Sequence, residues 1–193
     1  MTTLFYLGAG EDIEPMFLGI NDTYWIKTGG YIDFSKTQCE TFNLLRSVKT
    51  YILVDVIPNR DFYTNDLDTF IHYYTILVIK QLRGTLVEDN RKEKYLYFKL
   101  ENSSNLYYYY NTNLLFDQDP YVELRKEKYK DFESSSKLLK QLNEVDIVLI
   151  KGFYYDELDD DLGTVDKWKS LTPNATTLVA NPRMNMKMMT LKN

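Results

Sequence analysis

Two glycines and a set of carboxylates stand out as residues that could do chemistry together. Gly8-Ala9-Gly10 follows the apolar run Leu4-Phe5-Tyr6-Leu7, and Glu11, Asp12 and Glu14 come directly after. An apolar run ending in Gly-x-Gly reads as a buried strand stopping at a tight turn. Glycine tolerates φ > 0 there and, lacking Cβ, lets a ligand approach the backbone. A second apolar run, Tyr51-Ile52-Leu53-Val54, ends in Asp55, with Pro58 beyond it. A carboxylate at a strand end can accept hydrogen bonds from ribose hydroxyls. The charge narrows the ligand. A dinucleotide turn would call for a third glycine at Ile13, and the acids around this turn repel a pyrophosphate. They attract a sulfonium or an ammonium group, and S-adenosylmethionine carries both. The plainer alternative is that the acids cap the first turn of a helix, where the helix dipole favours them.

Lys151 ends the apolar run Ile147-Val148-Leu149-Ile150 and precedes Gly152. In a parallel sheet it shares an edge with the glycine turn, and in an apolar setting it could lose its proton and act as a base. The plainer alternative is a snorkelling lysine. Asp156-Glu157 with Asp159-Asp160-Asp161 is the densest acid run, but it fails as a calcium loop: Leu162 stands at the glycine position and Trp168 at the final glutamate position. A solvated loop is the expectation. His72 is the only histidine and Cys39 the only cysteine, so no metal site is expected. A Cys39–His72 nucleophilic pair would need two separate helices to bring them together.

Around these residues the chain reads as one domain, residues 1–193, with enough length for a sizeable core. Hydrophobic residues at 44% and charged residues at 26% place it among globular chains rather than disordered ones. A net charge of −5 argues against gripping nucleic acid over a broad surface. A single cysteine fits a reducing, cytoplasmic compartment. No apolar run approaches the ~20 residues of a membrane helix, and no signal peptide is evident at the start. The 17 tyrosines have a plain reading, AT-rich coding DNA filling strand and surface positions, and a sharper one, a stacking or partner surface.

Periodicity predicts strands over 4–8, 51–55, 95–100, 106–111, 146–151 and 177–180. It predicts helices from Ser35 or Thr37 to about Val48, from Asn65 or Asp66 to Gly84, and over 134–143. The second helix should turn Phe70, Tyr73, Tyr74, Leu77, Val78 and Leu82 inward. Residues 11–35 read as a long loop, 87–94 and 102–105 as turns, and 156–170 as an acidic loop. Met184, Met186 and Met188 alternate as in a half-buried last strand. Mostly alternating elements predict an α/β, Rossmann-like fold: a mostly parallel sheet with helices on both faces and a short antiparallel terminal strand. A helix between the first two strands should bring Gly8, Gly10 and Asp55 to one sheet edge, because such crossovers are right-handed in ~98% of cases.

The stretch Leu4 to Gly10, the acids after it, and Tyr51 to Asp55 resemble the first two motifs of class I S-adenosylmethionine-dependent methyltransferases. The form Gly8-x-Gly10-x-Asp12-x-x-Pro15 with Val54-Asp55-x-x-Pro58 is similar to Rossmann-like proteins of uncharacterised role in large DNA viruses. The resemblance implies S-adenosylmethionine as cofactor, with Gly8 and Gly10 on its methionine part, Asp55 on its ribose and Asp12 beside them. Asn111 and Lys151 would face the substrate. The chain departs from that pattern after the fourth strand, where Asn111-Thr112-Asn113-Leu114 lacks the proline pair of base and amide methyltransferases. Lys27, Lys151 and Glu157 match three of the four residues that ribose methyltransferases use, with Asn111 in place of the aspartate. The alternative of a different class is a catalytically inactive domain that binds a protein partner through its tyrosine-rich strands and acidic loop.

Overall fold

The computed structural model describes residues 1–10, 12–13, 15–16, 45–56, 67–111, 135–151, 170–180 and 188–191. Among the described residues, eight strands join into one sheet. They are β1 (Thr2–Leu7), β2 (Val48–Val56), β3 (Thr85–Asn90), β4 (Tyr95–Lys99), β5 (Asn105–Asn111), β6 (Ile147–Lys151), β7 (Thr176–Ala180) and β8 (Met188–Leu191). Two helices are long enough to label among the described residues: α1 (Leu67–Leu82) and α2 (Ser136–Leu142).

The strand order is β3-β4-β5-β2-β1-β6-β7-β8. β1 lies between β2 and β6 and is parallel to both; β5 joins β2, and β7 joins β6, also in parallel. β3-β4-β5 form an antiparallel meander, and β8 runs antiparallel to β7. The Rossmann-like, mostly parallel α/β expectation, with helices on both faces, is thereby corrected. The sheet is mixed, one end of it is an antiparallel block, and only two labelled helices accompany its eight strands among the described residues. The physical reason lies in the links of that block. Arg91–Lys94 and Glu101–Ser104 are too short to hold crossover helices, so the chain can only reverse. Lys94 and Ser103 take the left-handed conformation that tight reversals require, with φ of 56° and 65°.

The run 87–94 was expected to be a turn, and much of it is strand. Thr85–Asn90 alternates exposed and half-buried positions at the sheet edge, where polar residues meet water on one side and pair with β4 on the other. A register shift between Leu86 and Glu88 bends this edge.

Alternation assigns side chains to two cores. Leu4 and Tyr6 of β1, Tyr51 and Leu53 of β2, and Tyr108 and Tyr110 of β5 pack with Phe70, Ile71, Tyr74, Val78 and Leu82 of α1. Phe5, Ile52, Val54, Tyr95 and Tyr109 pack with Leu138 and Leu142 of α2. The central strands are thus buried on both faces, which is why they read as unbroken apolar runs. Tyr73 was expected inward and is 44% exposed; Ile71 takes its place. Asp68 in the first turn and Lys80 in the last complement the α1 dipole. The left-handed residue that ends α1 is Arg83, φ 49°, rather than Gly84. Gly84 is required for packing: a Cβ there would lie 2.7 Å from Val78 Cγ1. Ser135 caps α2, its side chain accepting from the Leu138 amide at 3.2 Å.

At the amino-terminal edge of the parallel strands Asp146 is a structural tie. Its carboxylate accepts from the Thr3 amide at 2.8 Å, its amide donates to Thr3 O, and its carbonyl accepts from Thr176. The glycine turn sits at the opposite, carboxyl-terminal edge. Of the first expected helix only residues 45–48 are described: 45–46 are helical, and Val48, expected in the helix, instead begins β2. Lys27, Cys39, residues 114–132, the acid run after 156, Met184 and Met186 lie outside the described residues.

Candidate functional site

The carboxyl ends of four adjacent parallel strands carry Asn111 (β5), Asp55 (β2), Gly8 (just past β1) and Lys151 (β6), in that spatial order. Tyr110 of β5 is the register partner of Asp55, and Asn111 that of Val56. Ile150 pairs with Leu7, so Lys151 is level with Gly8 on the other side of β1. Gly8, Asp55, Asn111 and Lys151 therefore fall on one sheet edge, whereas His72 lies on α1 and Lys27, Cys39 and Glu157 lie outside the described residues. The chain leaves β1 toward β2 and later returns to β6 on β1's other flank. In open sheets with a parallel core, ligands bind outside the carboxyl ends where the strand order reverses in this way.

The turn itself is built from long-range bonds. The Gly8 and Ala9 amides both donate to Val54 O, at 2.8 and 3.2 Å. Gly8 and Gly10 hold φ of 67° and 54°, a region that strains any residue with a Cβ. The Gly10 amide donates to the Asp55 carboxylate, and the Gly10 carbonyl accepts from the Tyr108 hydroxyl at 2.6 Å. Asp12 donates its amide to Ala9 O at 2.9 Å and accepts at its carboxylate from the Tyr6 hydroxyl at 2.6 Å. A short helical turn begins at Pro15, with the Met16 amide donating to Ile13 O. Gly8, Gly10, Asp12 and Asp55 are thus gathered by contacts within the chain.

Two tyrosines that the sequence reading passed over complete this arrangement. Tyr6 and Tyr108 belong to alternating positions of buried strands, and their hydroxyls donate to Asp12 and to the Gly10 carbonyl of the glycine turn. For Tyr108, its alternate position in Tyr107-Tyr108-Tyr109-Tyr110 was the available signal. Tyr108 packs tilted among α1 aromatics, with ring centroids 4.4 Å from Tyr74 and 5.9 Å from Phe70. Burial pushes the Tyr74 hydroxyl well above its ordinary pKa, and the Asp12 charge adds to the rise. The Tyr51, Tyr74 and Tyr110 hydroxyls are buried with no hydrogen-bond partner among the described residues. Burial lifts Tyr51 further from its usual range, and burial followed by the Asp89 charge lifts Tyr110 to about 12.

A comparison with protein-family models, with curated proteins and with solved structures found no match. Among the described residues no group of three or more His, Cys, Asp or Glu side chains gathers where a metal could bind. His72 lies on the exposed side of α1. No helix among the described residues is long and apolar enough to cross a membrane.

Proposed function

We propose that this domain binds S-adenosylmethionine at the glycine turn. The observation that carries the proposal is the bond from the Gly10 amide to the Asp55 carboxylate. It holds one acid against the turn while Asp12, two residues on, holds another beside it. A pyrophosphate brought here meets two carboxylates, whereas a sulfonium or ammonium group is attracted by them. Gly8 and Gly10 then lie along the methionine part, Asp12 supplies negative charge to the cationic end, and Asp55 faces the ribose side of the turn. Asn111 and Lys151 stand on the flanking strand ends, where a methyl acceptor would approach. Transfer would rest on aligning the acceptor with the sulfonium. The methyl group would move to the acceptor, S-adenosylhomocysteine would leave, and the acceptor's proton would pass to a base, the role the sequence reading gives Lys151. With Cys39 as the single cysteine, a reducing compartment such as the cytoplasm suits the chain.

The second reading is a non-catalytic interaction module. It is favoured by the extent to which the turn is closed on itself: Asp55 and Tyr108 both bind its backbone. Melting curves separate the two. A ligand at about 100 times its Kd adds ~2.7 kcal/mol, so millimolar S-adenosylmethionine or S-adenosylhomocysteine should raise Tm by several degrees while ATP does not. No shift with either compound overturns the proposal and leaves the interaction module.

A further inference from the structure

The sheet face turned away from α1 carries a second arrangement of tyrosines. β4 and β5 set Tyr95 opposite Tyr109 and Tyr97 opposite Tyr107. The first pair lies under α2: both rings are buried, and Tyr109 donates to the Gln141 side chain. The second pair is only half-buried. Its rings stack in parallel, 4.6 Å between centroids and 8° between planes.

Lysines flank this step. Lys99, exposed, donates to Asn105 Oδ1 at 2.9 Å, the atom that also accepts from the Tyr97 hydroxyl. On the other side Lys137 Nζ is 5.3 Å from the centre of the Tyr107 ring, and it donates to the Tyr95 hydroxyl at 2.6 Å. Glu88 is the acid on this flank. It accepts from the Asn90 side chain, a bond that together with Tyr95 holds its carboxyl below the usual range. Burial opposes the charge on Lys137, but the Tyr95 hydroxyl bond and nearby Glu88 outweigh it and keep the ammonium charged. A planar aromatic step between two cations is complementary to a base with phosphates on either side.

We propose that the Tyr97–Tyr107 step binds single-stranded nucleic acid, a base stacking on the exposed ring surface and the neighbouring phosphates meeting Lys99 and Lys137. Every base has a π-face, so recognition by stacking on a sheet is tolerant of sequence. The net charge of −5 confines phosphate contact to these local lysines. Two phosphate contacts on a single strand imply a salt slope of about −1.4 in log affinity against log salt. This surface is on the opposite face from the contacts of α1 and stands independently of the glycine turn.

The test is fluorescence anisotropy of the whole chain with a labelled short oligo(dT) at low salt. Binding with that shallow slope is expected. Tyr107→Leu should weaken it about tenfold, the loss of one stacked base, while Tyr107→Phe retains it. Lys99→Gln should make the slope shallower by about 0.7. Melting curves establish that each variant is folded. Absence of binding at low salt, unchanged affinity in folded Tyr107→Leu, or dTMP competing as strongly as the oligonucleotide would each overturn the assignment.

Discussion

The Gly10 amide donates to the carboxylate of Asp55, a residue 45 positions away in the chain and on the neighbouring strand. The acid read from the sequence as a ribose contact is therefore also a fastening for the turn that would hold the cofactor. Under the proposed function, fold stability and ligand affinity would converge on one side chain.

Asp55→Ala should lower stability by roughly 1.5–3 kcal/mol, the value of a hydrogen bond to a charged group. Asp55→Asn, which keeps an acceptor without the charge, should lose less. Urea denaturation measures both. Stability equal to wild type in Asp55→Ala would mean that the bond to Gly10 adds nothing to the fold.

Gly10→Val places a β-branched side chain at φ 54°. Strain there is expected to cost about 1 kcal/mol or more, so Tm should fall. Under the proposed function the variant should also lose its response to S-adenosylmethionine. An equal ligand-induced shift in wild type and Gly10→Val would remove the turn from the binding site.

The hydroxyls of Tyr74 and Tyr108, whose ring centroids lie 4.4 Å apart, should respond in opposite ways. Tyr108→Phe deletes the donor to the buried Gly10 carbonyl and should destabilise by about 1–3 kcal/mol. Tyr74→Phe removes a buried hydroxyl that has no partner among the described residues, and should be neutral or stabilising. Chemical denaturation of the pair decides it; equal losses would show that the Tyr108 bond carries no special weight.

Alkali should unfold the protein through its buried phenols. Tyr51, Tyr74, Tyr107, Tyr109 and Tyr110 all have their ionisation raised by burial, Tyr110 to about 12. An unfolded tyrosine titrates near ~10, so above that pH the native state binds more protons than the unfolded state. Stability is then complete below about pH 10 and falls as pH rises toward 12. Phenolate absorbance followed alongside circular dichroism should show a late fraction of tyrosines ionising only as the fold is lost. Ionisation of all tyrosines together near the ordinary value, with the fold intact, would contradict this.

The local elements were legible because their signals are local. Apolar runs marked β1, β2, β5 and β6, and helical spacing marked α1 and α2, the latter read over 134–143 and found as Ser136–Leu142. The pairing of an apolar run with Gly8 and Gly10 also located the turn correctly at a strand end. Edge strand β3 escaped because its polar alternation looks like a solvated turn until β4 is known to pair with it. Sheet order and strand direction are set by how separated segments meet: the turn read at 102–105 is the reversal between β4 and β5, and the unread strand β3 with its reversal at 91–94 extends it into an antiparallel block at one end of the sheet. The partners at the site were equally out of reach. Whether Asp55 caps Gly10, whether Tyr108 reaches a carbonyl 98 positions away, and whether the hydroxyl of Tyr74 finds any partner all depend on contacts between distant segments. Sequence by itself determined which residues are able to bond and how each short segment is shaped, because period and turn chemistry act over a few residues. Only the tertiary structure decided which of those bonds are made, since a buried polar group takes whatever partner the packing brings within about 3 Å.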